Sequence, residues 1–242
     1  MPIPILAIAN AVSAVIALLL FIRLRKSYHR GGYTNTLVGH FSSFFLFLSI
    51  FFFLSFPALM WDKGDNIIVA YQLLLSYLFL SFATGSFLRI PVSVWFGYFS
   101  GKGVAWAVYI VGIAAFLLGL QNISPAGWFS VTSGALEIDY FIFTQPVAVR
   151  VLSGGVPLLI ACVGSVFFIC EGLRATNVYV RTRSLLVGFG MLLLMGAALA
   201  NFFISYVVFA FTVNLLASLL ALIGLAVMAI GVYVGIPEEG VV

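Results

Sequence analysis

The chain has 242 residues, of which 64% are hydrophobic, 16% aromatic and only 7% charged, with a formal net charge of +4. A water-soluble domain carries about 25% charged residues, so this composition excludes a soluble fold with an ordinary surface. A nucleic-acid interface needs a basic stripe on a folded face; the Lys and Arg residues here fall between apolar runs, and no nucleic-acid partner is expected.

Seven charge-poor runs follow one another, near 3–22, 38–60, 66–88, 103–120, 154–173, 184–206 and 213–236. About 20 residues at 1.5 Å each cross the ~30 Å hydrocarbon layer. Backbone amides inside lipid must be paired within their own segment, so each run predicts a helix. The expected fold class is an all-α polytopic membrane protein, a seven-transmembrane-helix bundle forming a single membrane domain over 1–242, with the lipid bilayer as its partner.

The first run is followed, not preceded, by Arg23, Arg25, Lys26 and Arg30. A removable signal peptide carries its positive charge in front, so this run reads as a retained anchor with its amino end translocated. The second run holds Phe41, Phe44, Phe45, Phe47, Phe51, Phe52, Phe53 and Phe56. At about 100° per residue these cover every face. They suit bulk packing, or an apolar ligand such as a polyene, quinone or lipid lying against the helix. The third run closes at Ile90-Pro91 and the fourth is a linker.

The 121–153 stretch has room for external structure. Its partial alternation through Ala135–Tyr140 and again through Val147–Leu152, with Pro146 between, predicts a short β-hairpin cap or an ordinary connecting loop. In the fifth run Glu171 lies three residues before Arg174, which predicts a boundary ion pair. Cys162 and Cys170 are eight residues apart on that helix, ~12 Å along its axis and beyond disulfide reach. Ser184–Ile236 has neither charge nor Pro. As one helix it would be ~80 Å long, so a tight hairpin is expected near Phe209–Thr212. Gly188 and Gly196, with the Gly231/Gly235 pair, predict close packing of runs six and seven, or a homodimer.

Nine of the eleven Lys and Arg residues lie after runs one, three and five: Arg23, Arg25, Lys26, Arg30, Arg89, Lys102, Arg174, Arg181 and Arg183. The positive-inside rule then puts the amino terminus outside and the carboxyl tail in the cytoplasm, which for a plasma-membrane protein is the expected orientation. A second pattern concerns organisation. Ile3-Pro4, Leu37-Val38-Gly39 and Ile90-Pro91 are echoed by Val156-Pro157, Leu186-Val187-Gly188 and Ile236-Pro237, with 54 residues from Leu37 to Pro91 and 51 from Leu186 to Pro237. This predicts a 3+1+3 arrangement of two parallel triple-helix units.

Polar chemistry is sparse. Asn10, Gln72, Asn201 and Asn214 sit within four different runs, and a buried amide needs a partner. They read as helix–helix glue or as the lining of a small pocket. His29 and His40 are eleven residues apart, not at ligand spacing, and no acidic or Cys residue completes a metal shell. No cofactor is expected, and no enzyme, because no Ser/His or paired-carboxylate constellation lies at depth.

The seven-span layout resembles the microbial rhodopsins and the heptahelical receptors. That resemblance implies a retinal-bearing lysine or an acidic-Arg-aromatic triplet closing span three. Phe211–Ile236 contains no Lys, and Ser86-Phe87-Leu88-Arg89 stands at the triplet position. The 3+1+3 layout is similar to that of the SWEET sugar transporters, which implies paired pocket asparagines; Asn214 matches one and Gln72 would stand for the other, while no Pro-Gln pair occurs. The layout is also similar to the seven-span sensory module of some bacterial histidine kinases. The reading that follows is a non-enzymatic seven-helix protein of sensor/receptor-like or accessory-subunit type, binding an apolar ligand or partner helices. The alternative is a facilitative transporter of a small neutral solute.

Overall fold

The structure, a computed structural model, describes residues 3–30, 36–55, 66–133, 136–200 and 210–234. Among these, seven helices are long and apolar enough to cross a bilayer. They are α1 (Ile5–Arg30), α2 (Thr36–Leu54), α3 (Asn66–Phe96), α4 (Tyr98–Gln121), α5 (Val147–Arg174), α6 (Val178–Leu199) and α7 (Ala210–Val234). They form a helical bundle, and the chain is an integral membrane protein whose outer faces meet lipid.

Sequence neighbours pack as hairpins: α1 on α2, α2 on α3, α3 on α4, α5 on α6 and α6 on α7. Two further contacts, α3 with α5 and α7 with α1, close six of the helices into a ring. α4 stands outside that ring, packed on α3 and on the start of α5. The buried centre is apolar and drawn from all six ring helices, with Leu20, Leu24, Phe44, Phe45, Phe87, Leu225 and Met228 at 1% exposure or less.

A small sheet lies at one end. β2 (Ser124–Ser133) pairs antiparallel with β3 (Leu136–Thr144), from Ser124↔Thr144 to Ser133↔Leu136. β1 (Ile3–Pro4) adds to β3 in parallel, and the hairpin touches α1, α3 and α7. This sheet end therefore carries the amino terminus. The opposite, basic end carries the connections after α1, α3 and α5.

Several boundaries differ from the sequence expectation. Val147–Leu152 is helical, not a strand: the strand pair closes before Leu136, and α5 starts directly after Pro146, whose φ of −54° already suits a helix start. Within α5 a π-helical turn at Val151–Gly155 precedes Pro157. A wider turn relieves the clash that a proline ring makes with the carbonyl four residues back. α3 does not end at Pro91 but continues through it to Phe96. Residues 89–102 thus form a helical hairpin about Gly97, whose φ of +89° is open to glycine and strained for other residues. α2 ends at Leu54, six residues before the expected limit. α6 starts earlier than expected, because the Asn177 side chain accepts from the N–H groups of Tyr179 and Val180 at 2.9 and 3.3 Å and caps it. Of the tight hairpin expected near Phe209–Thr212, Phe209 lies outside the described residues, and Ala210–Thr212 are already helical, in α7.

Candidate functional site

Three polar or aromatic groupings stand out from the apolar background. The first sits at the sheet end of α2. The last carbonyls of a helix have no partner within it, and α2 stops short of its neighbours. Three of them, with the carbonyl of Ser55, are met from outside or from the terminal turn. Ser55 Oγ donates to Phe51 O at 2.7 Å and Ser55 N to Phe52 O at 3.1 Å. Gln72 Nε2, from α3, donates to Leu54 O at 2.9 Å. Asn10 Nδ2, from α1, donates to Ser55 O at 2.8 Å.

Asn10 and Gln72 are thus brought together, but across the end of a helix, each amide nitrogen donating to a carbonyl at that end. Of the other two amides, Asn201 lies outside the described residues, and Asn214 is on α7 with a side chain outside them. Several serine hydroxyls are similarly engaged. Ser49 bonds across to Ala14 O at 2.9 Å, Ser86 to the Tyr109 hydroxyl at 2.8 Å, and Ser81, Ser153 and Ser165 to carbonyls of their own helices.

The second grouping is aromatic. The Phe87 ring of α3 lies 5.1 Å from Phe44, 6.4 Å from Phe41 and 5.5 Å from Phe168, centroid to centroid. α2, α3 and α5 therefore meet through their rings. Gly164 of α5 makes room for this, since a Cβ there would come within 2.8 Å of Phe87 Cδ1. The Phe residues of α2 divide as their angular spread requires: Phe44, Phe45 and Phe52 are buried and Phe53 faces outward.

The third lies at the basic end. Arg89 of α3 places its guanidinium carbon 5.0 Å from the Tyr98 ring centroid on α4. Arg23 of α1 stacks over Tyr233 of α7 at 4.3 Å. Buried Arg89 Nε, His40 Nε2, Ser93 Oγ and Arg23 Nε have no hydrogen-bond partner among the described residues. Arg174 approaches Glu171 at 3.7 Å, with the two side chains 77% and 39% exposed. An exposed pair of this kind contributes about 0–1 kcal/mol. Among the described residues no three His, Cys, Asp or Glu side chains converge as metal ligands would.

The glycines correct one expectation. Gly188 does not mark the α6–α7 contact: a Cβ there would meet Ile169 Cγ1 at 2.7 Å and Ser165 O at 3.1 Å, both on α5. The α6–α7 approach is closest at Gly190 and Gly224, where each Cβ position falls 2.6 to 2.7 Å from the other's carbonyl oxygen. Gly231 packs on Leu186 at 3.0 Å, Gly196 only loosely on Leu220 at 3.7 Å, and Gly235 lies outside the described residues. Gly224 was legible only as one more small residue in an apolar run.

No protein-family profile matches this chain, and a comparison with curated proteins gives no match in sequence.

Proposed function

We propose that this chain is a non-enzymatic seven-helix membrane protein of sensor or accessory-subunit type, which binds an apolar ligand or partner helices rather than moving a solute. The observation that carries this reading is the use made of Asn10 and Gln72. A polar path needs amides turned toward it, whereas these two donate to the carbonyls that end α2. The apolar rings that join α2, α3 and α5 support the same reading. The concentration of Lys and Arg at the basic end supports a cytoplasmic placement of that end, in a plasma membrane.

A second reading keeps the facilitative transporter with two parallel triple-helix units. The ring favours it: α1–α2–α3 and α5–α6–α7 pack in the same order, the α3–α5 contact corresponds to α7–α1, and α4 stands aside as a linker would. The matched Leu-Val-Gly triplets weigh against it. Gly39 faces Tyr28, eleven residues back, while Gly188 faces Ile169, nineteen residues back, so the two do not sit at one depth relative to their hairpins.

Proteoliposomes separate the two. The expected result is no flux of small neutral solutes above protein-free vesicles. Gln72→Met and Asn10→Leu should each lower stability by about 1–2 kcal/mol through the stranded carbonyl. Solute flux that Gln72→Met abolishes while the protein stays folded would overturn the sensor or subunit reading in favour of transport.

A further inference from the structure

α1 is longer than a bilayer crossing needs. Its charge-free part, Ile5–Ile22, covers ~27 Å, close to the ~30 Å hydrocarbon layer. The next two turns, Arg23–Arg30, add ~10 Å, and the headgroup layer on each side of a bilayer is about 5–8 Å deep. Arg23, Lys26 and Arg30 therefore stand from the hydrocarbon edge outward, at the level of the lipid phosphates. The helix period sets the face they occupy. Ile8, Val12, Val15, Leu19 and Ile22 are exposed and form the lipid-facing side of α1. Steps of three and four residues carry that side on from Leu19 and Ile22 to Arg23, Lys26 and Arg30. Lys26 and Arg30 are exposed and Arg23 is half-buried.

The neighbouring helix completes the seam. The Arg23 guanidinium carbon lies 4.3 Å from the centroid of the Tyr233 ring, at the end of α7. Tyr233 is itself exposed, as are Ile223 and Ile230 further up α7, so lipid meets both helices where they close the ring. Arg25 belongs to another side of α1, about 160° around the helix from Arg23. It lies over Tyr28, at 5.7 Å, and the Tyr28 ring packs on Gly39 of α2. Among the described residues the one carboxylate at the basic end is Glu171 of α5, 3.7 Å from Arg174. Cations three and four residues apart on one helix face repel one another. The helix dipole favours cations in a last turn on any face, so it does not select the lipid-facing one. An anion in the headgroup layer does.

We propose that Arg23, Lys26 and Arg30 bind the headgroup of an anionic phospholipid whose acyl chains lie along the α1–α7 seam, on Leu19, Ile22 and Ile230. Arg23, stacked on Tyr233, supplies a fixed charge and forked donors for the phosphate. Lys26 and Arg30 add charge from the next two turns. The stripe begins at the hydrocarbon edge and continues an apolar, lipid-facing side, which fits a lipid and not a soluble acidic protein.

The test holds the full chain in a neutral detergent with equimolar phosphatidylglycerol and phosphatidylcholine, and native mass spectrometry reads which lipid is retained. Such a micelle has no charged leaflet, so retention of one lipid over the other reports a site. Phosphatidylglycerol is expected to be preferred, with each cation of the stripe worth about five-fold. Lys26→Gln should lower the ratio by about five-fold, whereas Arg25→Gln, the same charge change one residue away, should lower it by less than about two-fold. Both side chains are exposed, so this comparison stands even if Arg23→Gln, expected to lose at least as much as Lys26→Gln, does not fold. Equal losses from Lys26→Gln and Arg25→Gln, or equal retention of the two lipids by the parent chain, overturn the site. A preference that emerges only with Glu238→Gln and Glu239→Gln assigns the stripe to the chain's own acidic residues. A preference abolished by excess glycerophosphoglycerol assigns it to a soluble anion. Either result overturns the lipid assignment.

Discussion

Phe87→Ala is expected to lower the unfolding free energy by about 3 kcal/mol, the range seen for emptying a large buried aromatic site. Phe87 is 0% exposed and its ring meets Phe41, Phe44 and Phe168. In a bilayer the transfer part of that cost shrinks, because an unpacked helix still sits in hydrocarbon. What remains is the loss of close contacts and of ring–ring geometry worth about 0.5–1.5 kcal/mol per pair. Denaturation in mixed micelles, followed by circular dichroism, reads the change. A loss below about 1 kcal/mol would mean that the three helices are not held through this ring. A compensating pair sharpens the result. Gly164→Ala alone crowds Phe87 and should destabilise, and combined with Phe87→Leu it should cost less than the two single changes summed.

Gly224→Val is expected to be as damaging, by the opposite route. A Cβ at Gly224 meets Gly190 O at 2.7 Å and Leu194 N at 3.1 Å. Both atoms belong to the α6 backbone, so no side chain can swing aside and the two helices must separate. Overpacking of this kind costs about 1–3 kcal/mol, and here the upper figure is expected. Gly196→Ala is the control. Its Cβ would meet only Leu220 Cδ1, at 3.7 Å, an ordinary contact, and alanine favours a helix over glycine by up to about 1 kcal/mol. That variant should match the parent protein or exceed it. Equal melting behaviour for the two variants would count against the close α6–α7 approach.

How far these features were legible differs from residue to residue. The ion pair of Glu171 with Arg174 depends on a local spacing of three residues, which any α-helix turns into proximity. The N-cap Asn177 is local chemistry too, and it accounts for the early start of α6. The expected limit of α2 followed the apolar run as far as Met60, although Pro57, three residues beyond Leu54, is a local stop signal. Pro91 read as a terminator because its cost in an isolated helix is about 3 kcal/mol. Packing within a bundle offsets that cost, and the helix runs on to the Gly97 turn.

The partners of Asn10 and Gln72 and the seating of Phe87 against Gly164 are of another kind. Each joins helices whose residues are far apart in the chain. Hydropathy is a property that each segment carries into lipid unaided, so composition and the distribution of Lys and Arg were enough to establish a membrane protein of seven spans with one strongly basic end. Which way each helix is rotated is decided by its neighbours. These helices are apolar nearly all round, and lipid tails are as apolar as the bundle interior, so no stripe marks an inward face. Tertiary packing alone turned two amides toward the end of α2 and drew Gly190 to Gly224.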